Sequence, residues 1–411
     1  MLLELDEARA RVLRAVAPLG AETLDLVRAT GRVLAESVVA GSDLPRFDNS
    51  AMDGYAVRAA DTLAASPAQP VRLTLTGATA AGDAPSPTVL GPGEARRIFT
   101  GAPLPPGADT VVAQERADVS PDGVDVSAAH PMGTHVRRAG EDVQAGSTLL
   151  TPGTILGPAE LALLAAQGHS WVRVHRRPRV AIVPTGDEIA EIDHALAPGK
   201  ILNSNSIQLA AQVQLAGGIP VRLPPVADDA QALQAALADA AACSDVVVTT
   251  GGVSVGDHDL VRQVVTSMGT LLFWRVAIKP GKPVAFGLVG GRPIFGLPGN
   301  PVSTFVCFEL FVRPALRRLA GHAQVVPMLS RARLDHALMP DTKRLELVRC
   351  RLARREGEMC ALPLEKQGSG QLSSIVGAHA LALIPPGNVE LAAGAIVDIL
   401  PLRDQRDELF C

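Results

Sequence analysis

The run Asp245-Val246-Val247-Val248-Thr249-Thr250-Gly251-Gly252-Val253-Ser254-Val255-Gly256-Asp257-His258-Asp259 decides how the rest of the chain is read. Its apolar opening reads as a buried strand, and Leu260-Val261-Arg262-Gln263-Val264-Val265 after it has helical apolar spacing. Strand, glycine turn and helix start make an anion cradle. Glycines let backbone N–H groups turn inward, and the helix start adds its positive dipole end. Acid is the unusual feature of this turn. Asp257 and Asp259 would repel a bare phosphate, which points to a divalent cation between carboxylate and phosphate oxygens. Helix capping is the plainer role open to either aspartate.

Outward from this run the chain alternates strand and helix. Arg179-Val180-Ala181-Ile182-Val183 reads as a buried strand ending in the loop Pro184-Thr185-Gly186-Asp187-Glu188. A helix over 207–216 follows Asn203-Ser204-Asn205-Ser206, Val221-Arg222-Leu223 is the next strand, and Asp229 begins a helix to about Ala241. Such repetition predicts an α/β domain with a mostly parallel sheet and helices on both faces. Ligands collect beyond the carboxyl ends of such strands, where the Thr185–Glu188 and Thr249–Asp259 loops fall. Leu297-Pro298-Gly299-Asn300-Pro301-Val302-Ser303 falls there too. Asn300 has the grammar of an N-cap and Pro301 of a first helical residue, leaving free backbone donors aimed at the cleft. Between these loops, Lys279-Pro280-Gly281-Lys282-Pro283 holds two lysines in a stiff turn, a place for fixed positive charge beside phosphates. Exposed lysines are the ordinary case, and the convergence of four loops favours function here.

The N-terminal part is different. Leu2, Leu5, Val12, Leu13 and Val16 predict an opening amphipathic helix, and residues 22–39 a short strand and a second helix. Leu44–Val57 contains Asp48-Asn49-Ser50, Asp53 and the chain's one tyrosine, Tyr55; an Asx turn or helix cap would also explain Asp-Asn-Ser. Residues 70–140 read as a compact β domain punctuated by glycine and proline. Arg137-Arg138-Ala139-Gly140-Glu141-Asp142 sets bases beside acids, and a helix bounded by Pro158 and Gly168 follows. Residues 327–411 become short strands closing as a small β-barrel, with Arg344, Arg349 and Gly368-Ser369-Gly370 as its candidate ligand-facing groups.

Composition sets the outer bounds. With 411 residues, two to four domains are expected, and 38 glycines and 32 prolines suit many turn-bounded strands. A net charge of −4 gives no basic footprint for nucleic acid. Five widely spaced cysteines without a Cys-x-x-Cys pair argue against a disulfide framework or a zinc site. Glu4, Asp6 and Glu7 stand where a signal peptide would carry positive charge, and Glu309, Arg313 and Pro314 interrupt the most apolar helix. A cytoplasmic protein that does not cross a membrane is expected.

Taken in order, Asp48–Ala56, Thr100-Gly101-Ala102 with Gly107-Ala108-Asp109, Pro184–Glu188, Thr249–Gly256, Lys279–Pro283 and Pro298–Ser303 resemble the MoeA family of molybdopterin molybdenumtransferases, relatives of the gephyrin E domain. The resemblance implies a homodimer of four-domain subunits, placed here at 1–45 with 141–176 (N-terminal helical linking domain), 46–140 (inserted β-rich domain), 177–326 (α/β, molybdopterin-binding type) and 327–411 (C-terminal β-barrel). It implies insertion of molybdenum from molybdate into adenylylated molybdopterin with release of AMP, a late step of molybdenum cofactor synthesis that depends on Mg2+.

The resemblance also implies roles for individual residues. Asp187, Glu188, Asp257 and Asp259 look like the acidic group, with Glu188, Asp257 and Asp259 on the metal. Lys279 and Lys282 look like the phosphate or molybdate group, with Ser303 beside them. Asp53 and Asp142 look like acids donated across the dimer. Thr185, Gly251, Gly252, Ser254, Gly256, Pro298, Asn300 and Pro301 are the matching substrate-binding positions. Arg349 and Ser369 fall near positions used in the family's C-terminal domain, and Asp228 joins the site. Transient contact with the pathway's adenylyltransferase is a further expectation. Two rivals stay open: an adenylyltransferase, although Gly-Gly-Val-Ser stands where Gly-Gly-Thr-Gly is expected, and a non-catalytic scaffold that binds molybdopterin.

Overall fold

In the computed structural model, residues 2–121, 123–193, 196–252, 260–341 and 343–402 are described. They form two compact units. One comprises Met1–Ala35, Pro152–Pro158 and the chain from Trp171 onward; the other comprises Glu36–Thr151 and Ala159–Ser170.

The larger unit contains a six-stranded sheet in the order Ile219–Arg222, Arg179–Pro184, Val246–Thr250, Arg292–Leu297, Pro283–Val289, Gly269–Arg275. The first four strands run parallel, and only Pro283–Val289 opposes its neighbours. Val246–Thr250 is buried throughout, flanked on both sides by parallel partners. Strand alternation then sends side chains to two separate cores. Val180, Ile182, Val246 and Val248 pack with the Ser204–Leu215 helix and with Val302 to Leu319. Ala181, Val183 and Val247 pack with Leu233 and Leu237 of Ala230–Cys243 and with Val261 and Val264 of Leu260–Met268. Helices therefore cover both faces, and each fully buried valine contributes roughly 1.5–3 kcal/mol.

This topology explains why the loops meet. Pro184, Thr250 and Leu297 are the carboxyl ends of adjacent parallel strands, so the segments after them leave from one edge. The antiparallel strand arrives at that edge by its amino end, because Ala285 pairs with Gly296, and so brings Lys282 and Pro283 there. Ile278–Lys279 then pairs in parallel with Leu345 and Glu346 of the C-terminal region.

That region is a closed five-stranded barrel. Leu345–Arg355, Glu358–Pro363, Ser330–Leu334, Ile396–Pro401 and Ala380–Ile384 pair in turn, and the last returns to the first. Its interior holds Ala332, Val348, Cys350, Ala382 and Ile399, while Leu347, Leu381 and Leu400 belong to the same core as the opening helix Leu5–Arg14. In the smaller unit, six strands pair in the order Thr110–Ala113, Gly54–Val57, Glu94–Ile98, Val71–Thr79, Gly123–Val126, Ala117–Ser120.

The second helix expected within 22–39 does not form. Strand Ala21–Asp25 pairs with Trp171–His175, turns follow, and Gly31 at φ 71° redirects the chain. Val33 and Leu34 then bridge to Ile155 and Val174, so their backbone bonds go to distant partners. The helix after Pro301 is likewise not uniform. Pro301–Cys307 leads into a π-turn over Phe308–Val312 before Arg313–Leu319. The buried Glu309 in that turn accepts hydrogen bonds from Gln212 (2.7 Å) and from Arg313.

Candidate active site

Two adjoining cavities open at the convergent edge. The first, about 510 Å3, is lined by Thr185, Glu188, Gly251, Gly252 and Asn205 among others. The second, about 430 Å3, lies between the lysine turn and the barrel, and Pro283, Pro298 and Asn300 line both.

The first cavity is built on the glycine turn. Gly251 has φ 96°, and a Cβ there would overlap the Thr185 carbonyl, so the turn can carry only glycine. Thr185 Oγ1 is buried against this turn with no hydrogen-bond partner among the described residues. Asn205 fastens the surrounding loops: its Nδ2 donates to Thr250 Oγ1 (2.8 Å) and to the Gly299 carbonyl (2.7 Å). The carbonyl can only accept, which fixes the amide's orientation and leaves Asn205 Oδ1 buried without a partner.

Asn300 stands at the N-cap position, but its side chain makes no capping bond. Its Nδ2 donates instead to Ser369 Oγ at 3.0 Å, and Val302 N donates to the Ser369 carbonyl at 3.1 Å. The expectation that the helix start leaves its donors free is thus corrected at Val302, because the barrel's serine turn has taken that donor.

The second cavity is a basic pocket. Lys279, Lys282, Arg344 and Arg349 line it together with Ser303, Ser369 and Glu346. Lys279 Nζ lies 3.0 Å from Glu346 and 3.7 Å from Asp341, and Arg344 reaches Asp341 at 2.9 Å. A hydrogen bond from the Lys343 backbone, then Arg344 and Lys279, holds the Asp341 carboxyl below its usual range. Lys282 makes no ion pair among the described residues. Arg349 is 1% exposed, and its Nη2 donates to Lys366 O at 3.2 Å. Its Nε and Nη1 have no partner among the described residues, and burial lowers its pKa from the ordinary value while Glu346 opposes the shift.

The edge therefore gathers Thr185, Glu188, Gly251, Gly252, Pro298, Asn300 and Pro301 in one wall and Lys279, Lys282, Ser303, Arg349 and Ser369 in the other. Asp187 and Asp228 are exposed and line neither cavity. The Asp187 carboxylate accepts from Asp228 N at 3.2 Å, and Lys200 donates to the Asp187 carbonyl. Ser254, Gly256, Asp257 and Asp259 lie outside the described residues. Asp53 and Asp142 belong to the smaller unit, where Asp53 accepts from Thr100 N and Oγ1, both at 2.8 Å. Those two bonds hold the Asp53 carboxyl below its usual range.

Sequence patterns match the whole of this arrangement. Residues 3–168 match the MoeA N-terminal region (domain I and II), 181–318 the probable molybdopterin binding domain and 331–402 the MoeA C-terminal region (domain IV). The chain is 41% identical over 390 residues to the molybdopterin molybdenumtransferase of a Nostoc species, covering 93% of this chain and 88% of that protein. It is 40% identical over 399 residues to molybdopterin molybdenumtransferase 2 of Mycobacterium tuberculosis, covering 96% and 97%. The chain belongs to the MoeA family. The solved structure of a molybdopterin biosynthesis MoeA protein from Pyrococcus horikoshii is similar across 98% of this chain and 100% of that one, with a TM-score of 0.85 at 34% identity.

Several residues of this MoeA site escape a reading of the sequence. Asn203-Ser204-Asn205-Ser206 reads as a helix start, which Asn203 provides by accepting from Ser206 N, and nothing in the pattern marks Asn205 as a tie between three loops. Glu346 is visible only once Ile278–Lys279 is seen to pair beside it. Arg349 did carry a signal. It shares the phase of Leu347, the side of its strand that is buried outside the barrel, and an arginine in a buried phase calls for a partner.

Proposed function

We propose that the two cavities hold the two substrates of a molybdopterin molybdenumtransferase, which places molybdenum from molybdate on adenylylated molybdopterin and releases AMP. The observation that carries this reading is the basic pocket itself, which Lys279, Lys282, Arg344 and Arg349 line together with Ser303. A tetrahedral dianion supplies the acceptors such a pocket lacks, through charge-assisted hydrogen bonds. The glycine turn next to it suits the phosphoanhydride, and Asn300 stands where the two ligands adjoin. Little covalent work falls to the protein. Lys282 and the Gly252 N–H neutralise charge as AMP departs, the Gly251 N–H being given to the Leu297 carbonyl, and Arg349 with Ser303 holds the oxyanion in place.

Mg2+ is proposed on Glu188 with Asp257 and Asp259. Among the described residues no group of three metal-donor side chains assembles, and Glu188 is the carboxylate that lines the first cavity. Bound there, the ion would neutralise phosphate oxygens. We further propose the four-domain division at 1–45 with 141–176, 46–140, 177–326 and 327–411, a cytoplasmic homodimer in which Asp53 and Asp142 complete the partner's site, and transient contact with the adenylyltransferase that supplies the substrate. Among the described residues no helix is long and apolar enough to cross a membrane.

The test is AMP release by the purified protein from adenylylated molybdopterin with Mg2+, with and without molybdate. Release that depends on molybdate is expected. Consumption of ATP with free molybdopterin would point to an adenylyltransferase, and binding without AMP release would point to a scaffold; either would overturn the reading.

A further inference from the structure

The first cavity has a wall that an anion cannot use. Ile201 and Leu202 line it at 56% and 44% exposure, two adjacent large aliphatic residues left open. They form a two-residue strand that pairs in parallel with Ile189–Ala190, and Ile189 lines the cavity as well. The pairing is tied directly to the acidic loop: Ile201 N donates to the Glu188 carbonyl at 2.8 Å, and Asn203 N to the Ala190 carbonyl at 2.9 Å. One short element therefore carries both the cavity's carboxylate and its apolar wall.

Two chemistries meet in this cavity. The glycine turn suits a phosphate, and the paired strand offers apolar surface. A free oxyanion uses only the first. An aliphatic ligand uses only the second. An occupant that uses both is a phosphorylated, planar heterocycle whose faces are apolar. We propose that the Ile201–Leu202 strand supplies an apolar plate that covers the heterocycle of the substrate in the first cavity. This rests on the function proposed above, whose adenylylated substrate carries two such rings, a pterin and an adenine.

The plate is tested with the Ile201→Ser/Leu202→Ser double variant of the full chain and its conservative counterpart, Ile201→Leu/Leu202→Met. Calorimetric titrations use three separate probes: AMP, molybdopterin under anaerobic conditions, and molybdate. Both positions are exposed, so the melting temperature should stay near that of the unmodified protein. Affinity for one heterocyclic ligand should fall about tenfold or more in the serine variant, the scale of a lost apolar contact in a pocket. It should return in the conservative variant, with molybdate affinity unmoved throughout. Loss confined to AMP assigns the plate to adenine, and loss confined to molybdopterin assigns it to the pterin. Heterocycle affinities within twofold of the unmodified protein, or an equal loss for molybdate, would overturn the proposal. The titrations need no turnover. A protein that fails to release AMP in response to molybdate therefore refutes the proposed function, while the binding data still decide the plate.

Discussion

Replacing Arg349 with methionine separates the role of its charge from the role of its bulk. The side chain is 1% exposed, donates to Lys366 O, and leaves Nε and Nη1 without partners among the described residues. A hydrogen bond to a charged group contributes about 1.5–3 kcal/mol net, so losing one to a bound dianion costs about that much. That corresponds to roughly tenfold to a hundredfold in affinity. The fold should feel the change far less, because exchanging a buried charge for an apolar side chain of similar volume is often neutral or stabilising. Arg349→Met should therefore raise KM for molybdate by about tenfold or more in the AMP-release assay, while AMP still binds and the melting temperature shifts by only a few degrees. A KM within twofold of the unmodified protein would refute the assignment of the oxyanion to this pocket.

Three further outcomes are expected. Glu188→Gln should lower turnover strongly with folding intact, since Glu188 is exposed and makes no ion pair among the described residues; full activity in a coupled assay would remove it from the site. Gly251→Ala should lower both the melting temperature and turnover, because the added Cβ overlaps the Thr185 carbonyl at a φ that alanine resists, and calorimetry together with kinetics would read both losses. Burial first, then Arg317 and His175, pushes the His322 imidazole down to about 4 from an ordinary 6.5, so the unfolded chain binds the extra proton first and stability falls as pH drops through that interval. His322→Asn should flatten the slope of stability against pH by up to about 1.4 kcal/mol per unit between those values, measured by denaturant titration, and an unchanged slope would discount the half-buried imidazole.

Much of the α/β domain was legible because strand burial is written in runs such as Val246 to Val248, and helix starts in residues such as Asp229, which caps as expected, while Asn203 caps a helix that begins at Ser204, ahead of the expected 207. The convergence of loops was legible too, since it follows from parallel strands sharing a direction. The failures have a common cause. The stretch after Asp25 carries helix-compatible residues, but Val33 and Leu34 spend their backbone bonds on partners more than a hundred residues away, which no local period reveals. Asn300 occupies the position its sequence grammar predicts, yet its side chain is drawn off by Ser369. The apolar pair Ile201–Leu202 sits in a run too short for any periodicity to register, so its place in the cavity wall emerges only in three dimensions.

Ser369 also bears on how this protein can be cut. A carbonyl and a hydroxyl from the barrel finish the head of a helix that belongs to the sheet, and Leu347, Leu381 and Leu400 fill the same apolar core as the chain's first helix. A fragment ending near residue 326 would carry an open helix start and a stripped apolar surface, so the molybdopterin-binding portion should prove insoluble when expressed alone. Gain or loss of the barrel as a detachable module would accordingly demand compensating changes in the sheet's own helices.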